Sequence, residues 1–73
     1  MVSGSELDAL MYIEEKGGTT SAQPVARKLK INVDYARVIL TGLAKKDYLD
    51  LTARGVYHMT WKGKDEVERK SWK

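Results

Sequence analysis

The sequence predicts a small α+β domain, and three observations carry that prediction. Apolar residues recur at helical spacing in three segments before Lys46. Two of those segments meet at "KIN", residues 30–32, and keep their apolar residues in step across a turn of about three residues. From Tyr48 to Thr60, "YLDLTARGVYHMT", the period shortens toward two, as strands require. Seventy-three residues suffice for one core near the lower limit for folding without staples, and no internal repeat divides them.

The first helix is expected over Glu6 to Lys16, with Ser5 as its cap, Leu7, Leu10 and Ile13 on one face, and "KGG" as its stop signal. Residues 1–4 are expected to be flexible. "TT" at 19 and 20 is β-branched and too short to stand alone, so it reads as an edge strand that pairs with something later. Ser21 is placed to cap a second helix, Ala22 to Leu29, with Pro24 in the first turn, where a missing N–H does no harm. Ala26 is small where a following helix would cross closely.

Asn32 is a good cap for the third helix, and Asp34 adds a negative charge to its first turn. Ala36, Ile39, Leu40 and Leu43 fall within one arc at 100° per residue, so the helix packs by that face. Its outward face carries Asp34, Val38, Thr41 and Lys45, flanked by Tyr35 and Arg37; Val33 also reads as outward. "KKD" at 45–47 ends it, with Asp47 able to take the left-handed conformation.

The period-two stretch reads as a hairpin with "ARG" at its turn. Leu49, Tyr57 and Met59 are expected to point inward, Asp50 and His58 outward, and Arg54 to ride on the tip. Thr60 can cap a last helix over 61–72, with Trp61, Val67 and Trp72 as its large apolar residues. Trp61 is expected to close the bottom of the core and Trp72 to pack loosely; the alternative is that the two form a homodimer seam.

The order of helix, short strand, two helices across a tight turn, hairpin and helix resembles the winged helix-turn-helix domains of bacterial and archaeal transcription regulators. "GLAKKDYLDL" resembles the family's passage from recognition helix into wing, and "YHMTWKGKDEVE" its closing strand, capping threonine and last helix. The resemblance covers residues 5 to 70, with the helix-turn-helix at about 21–46 and the wing at about 48–60. It departs at two positions where the family often has glycine: Lys30 in the turn and Asp47 after the third helix. A related group that binds left-handed DNA uses an asparagine and a tyrosine four residues apart on this helix and a tryptophan in the wing. Here Arg37 and Thr41 hold the helix positions and the wing lacks tryptophan, so that reading is rejected.

The resemblance implies duplex DNA binding, with the third helix in the major groove and the wing beside it on the backbone. Carried over by position, Tyr35, Arg37, Val38 and Thr41 are candidates for base contacts. Arg27, Lys28, Lys30, Lys45, Lys46 and Arg54 are candidates for phosphate contacts, which give salt-dependent affinity and no sequence choice. The rival is a protein-interaction module, since an outward Val33, Tyr35 and Val38 suit a protein partner as well as a base edge. Homodimerisation stays open.

The basic excess after residue 18 favours the nucleic-acid reading, whereas Asp34 and Asp50 near the proposed surface weaken it. The formal net charge of +3 divides into −3 over residues 1–18 and +6 over residues 19–73, so the acidic first helix is expected to face away from any polyanion. The absence of cysteine rules out a disulfide framework and a thiolate metal site, and suits the reducing cytoplasm. The longest apolar run, "ALMYI", is far short of a membrane span. No cofactor, metal or small-molecule ligand is implied, and no enzyme. The lone His58 has no second soft ligand, no glycine-rich phosphate loop lies between a strand and a helix, and the acidic pairs Glu14–Glu15 and Asp65–Glu66 are adjacent on helices and point apart.

Overall fold

A computed structural model describes residues 4–52 and 54–71, so the expectations for residues 1–3, Ala53 and Trp72 lie outside the described residues. The chain runs α1 (Gly4–Glu15), β1 (Thr19–Thr20), α2 (Ala22–Leu29), α3 (Val33–Lys45), β2 (Leu49–Leu51), β3 (Tyr57–Met59) and α4 (Trp61–Ser71). The first helix starts earlier than its sequence signals indicate, so Ser5 is a residue of the first turn and not its cap.

Three helix ends close in the same way. A residue with positive φ lets the next N–H reach back five positions: Gly18 N–H to Ile13 O (2.9 Å), Ile31 N–H to Ala26 O (3.0 Å) and Tyr48 N–H to Leu43 O (3.0 Å). Gly17 supplies the positive φ at the first end, Lys30 (φ 60°) at the second and Asp47 (φ 68°) at the third. The turn therefore keeps the geometry usual for glycine at both departures from the family pattern. The apolar residue after each non-glycine closure, Ile31 or Tyr48, packs on the core.

The sheet is antiparallel with β3 at its centre, in the order β1-β3-β2. Thr19 and Thr20 pair with His58 and Tyr57, while Leu49, Asp50 and Leu51 pair with Met59, His58 and Tyr57. The "TT" segment is thus an edge strand that closes on the far end of the chain. Period two then sorts the faces: Leu49 and Tyr57 are buried and Met59 packs against the core, whereas Asp50 and His58 are exposed.

Leu10, Ile13, Val25, Leu40, Leu43 and Leu49 are the large described side chains fully removed from water, and Ala9, Ala22, Ala26 and Ala36 are buried in the same core cluster. Val33 is half-buried against this core and not outward. Trp61 departs furthest from expectation. It is 81% exposed and closes no part of the core; Val67, two turns later, is the apolar residue by which α4 packs.

Candidate nucleic-acid interface

The third helix owes its start to Asn32, whose Oδ1 accepts from Tyr35 N–H at 2.8 Å. With Ala36, Ile39, Leu40 and Leu43 committed to the core, the opposite face is fixed outward: Asp34, Tyr35, Arg37, Val38, Thr41 and Lys45 are all exposed. Tyr35 and Val38 are 49% and 64% accessible, a substantial apolar surface for one helix face. Arg37 Nη1 lies 3.6 Å from Asp34 Oδ1, both side chains well exposed, so this pairing is loose and screened.

The hairpin turn closes through Thr52 N–H to Val56 O (2.8 Å) and Thr52 Oγ1 to the same carbonyl (3.0 Å). Gly55, at φ 73°, supplies the conformation that this tight turn needs. That geometry holds Arg54 on the turn. A cavity of about 330 Å³ is lined by Arg54, Arg37 of α3, Ser21 and Gln23 at the start of α2, and Tyr57. Two arginines from distant parts of the chain therefore line one concavity. Ser21 stands in the cap position of α2, but its side chain makes no cap bond, contrary to the sequence expectation. The first residues of α2, Ala22 and Gln23, line the same concavity. Ser21 and Gln23 were not candidates from sequence, although the Ser-x-x-Pro start of α2 was a visible signal.

The other bases are distributed elsewhere. Lys46 Nζ donates to Glu6 Oε1 at 2.9 Å, tying the end of α3 to the start of α1. Glu6 fits there because Gly42 has no side chain: a Cβ would stand 3.1 Å from Glu6 Oε2. At this point the acidic first helix faces the basic segment instead of turning from it. Arg27 and Lys28, exposed on α2, border a cleft shared with Tyr12 and Pro24; Lys28 also borders a second one with Asp8, Met11 and Glu15 of α1. Lys30 and Lys45 are exposed at the turn and on the last turn of α3.

Among known structures, the chain is similar to the crystal structure of YusO protein from Bacillus subtilis, with a TM-score of 0.81 at 14% sequence identity. The fold is that of a winged helix. The match covers 92% of this chain and 51% of that one, so the chain spans about half the length of YusO. No family model matches the chain, and no curated protein does. Within this winged helix the wing is β2–β3 and its turn carries Arg54. Among the described residues no group of histidine, cysteine or carboxylate side chains could hold a metal ion, and no helix is long and apolar enough to cross a membrane.

Proposed function

We propose that this winged helix binds duplex DNA as a small transcription regulator, with α3 in the major groove and the wing on the phosphate backbone. The observation that carries the reading is the shared concavity of Arg37 and Arg54, which brings positive charge from α3 and from the wing turn to one side. In this reading Arg37 meets guanine O6 and N7 once it leaves the loose contact with Asp34, Val38 meets a thymine methyl, and Tyr35 and Thr41 make base or nearby backbone contacts. Arg54, Lys30 and Lys45 neutralise phosphates. Lys46, engaged by Glu6, and Arg27 and Lys28, which share a cleft with Tyr12 of α1, contribute less than sequence alone implies.

The test is an amide chemical-shift titration with a generic duplex of about one and a half turns at two salt concentrations. Salt-sensitive shifts on Tyr35 to Thr41 and on Arg54 are expected, and R54A is expected to reduce the salt slope by about 1 with little change in sequence preference. Silence at these residues at low salt overturns the reading. The exposed Tyr35 and Val38 would then favour the second reading, a protein partner docked on α3.

A further inference from the structure

The outward face of α3 carries an acid among its bases. Asp34 stands in the first turn, on the face that also presents Val38 and Thr41, and its side chain is 88% accessible. Arg37 Nη1 lies 3.6 Å from its Oδ1, and among the described residues Arg37 forms no other ion pair. No carboxylate lines the concavity that Arg37 shares with Arg54. Stability does not call for Asp34: Asn32 already caps the helix, and an exposed pair three residues apart contributes little.

We infer that Asp34 determines base choice: with Arg37 it reads guanine and an adjacent cytosine as one unit, and it disfavours every site that lacks them. The inference rests on the DNA-binding reading and deepens it. A recognition helix meets base edges with its N-terminal residues, and Asp34 is in that turn. Docking there removes water from both side chains and strengthens the interaction of the charges that remain. A carboxylate brought among phosphates needs a cation or a donor to offset it. Arg37 is one candidate, and the N4 amine of cytosine is the other. Adenine N6 also donates, but the acceptor N7 beside it repels a carboxylate.

The two side chains therefore constrain each other. While Arg37 stays on Asp34, guanine O6 and N7 go unread. Once Arg37 moves to guanine, Asp34 is left unpaired unless cytosine N4 replaces the guanidinium. Both are satisfied together only where a guanine edge and a cytosine edge are neighbours, as in one G·C pair. On bare phosphate Arg37 would leave Asp34 facing like charge, so the acid lowers affinity for the wrong sites more than for the right one. At 3.6 Å the pair is longer than a strong charge-assisted bond, so Arg37 is released at little cost.

The experiment selects duplexes from a random pool with the full chain and with D34N, then titrates each protein with the selected duplex and with a generic duplex over a range of salt. The full chain is expected to select a G·C pair. D34N keeps the shape of the side chain and removes its charge. It should bind the generic duplex about three- to tenfold more tightly, with a salt slope steeper by about 1 as Arg37 becomes free to neutralise a phosphate. Preference for the selected G·C pair should fall at least about fivefold, the lower end of what one good base contact discriminates. D50N, the same charge change on β2, should leave the preference as it is. A full chain that binds duplex while D34N keeps the same preference overturns the inference alone, as does an equal loss of preference in D50N. A full chain that binds no duplex at low salt overturns the DNA reading as well.

Discussion

The two joints that bound α3 share a backbone closure and differ in what surrounds it. At the first, Lys30 takes φ 60°, Ile31 N–H reaches Ala26 O, and Asn32 caps the next helix, so every partner lies within a few residues. At the second, Asp47 takes φ 68° and Tyr48 N–H reaches Leu43 O, but a distant segment locks the result. Thr60 Oγ1 donates to Asp47 O at 2.6 Å, and Thr60 N–H donates to Tyr48 O at 3.1 Å. Thr60 Oγ1 also accepts from Gly63 N–H at 3.1 Å. The first joint is a local turn that sets the angle between α2 and α3; the second is a tertiary clamp that fixes the base of the wing and α4 against the end of α3. The second joint connects the element that carries Arg37 to the wing that carries Arg54.

The clamp should be the more costly to break, and Gly63→Ala should cost the most. A Cβ at Gly63 would collide with Tyr48 O, a backbone atom already held by Thr60 N–H. Helix propensity alone predicts that alanine stabilises this position by about 1 kcal/mol, whereas the collision predicts a loss of about 1–3 kcal/mol. Urea denaturation decides by the sign. Thr60→Ala comes next, because the hydroxyl serves two partners at once, and a loss of about 1–2 kcal/mol is expected. Thr60→Ser should recover most of it, since both bonds need only the oxygen.

At the local joint the expected effects are smaller. Asn32→Ala removes one cap bond, to Tyr35 N–H, and should cost about 1 kcal/mol. For a chain of this size that is a fall of roughly 4–8 °C in Tm. A loss at Asn32 larger than that at Thr60 would reverse the comparison.

The same division explains what was legible in the sequence. Asn32 as a cap, Asp47 as a left-handed residue, the "TT" edge strand and the buried arc of α3 all follow from local conformational preference and periodicity, and the structure has them. The clamp was not legible beyond Thr60 as a cap. Gly63 reads as a weak point in a helix until the approach of Tyr48 is known, and no local pattern links Thr60 to Asp47. Trp61 was misplaced for a related reason: size and hydrophobicity say that a residue gains by burial, not that a neighbour is there to bury it. The candidate interface divides likewise. Periodicity gave the outward face of α3, whereas the engagement of Lys46 by Glu6 and the siting of Arg27 and Lys28 beside α1 depend on how α1 packs, which charge pattern along one helix does not encode.

The smallest expected effects test whether the shared closure is strained at both joints. An L-residue held left-handed loses roughly 1–2 kcal/mol. Glycine removes that cost but returns about 0.5–1 kcal/mol through its freedom in the unfolded chain. Lys30→Gly should therefore stabilise by a few tenths to about 1 kcal/mol. Asp47→Gly should gain less, because a short polar side chain tolerates this region better than lysine does. If the joints are independent, the double variant adds the two gains to within about 0.3–0.5 kcal/mol. Gains that fail to add would mean that the two ends of α3 are coupled along the helix, and the local turn could then no longer be treated apart from the clamp.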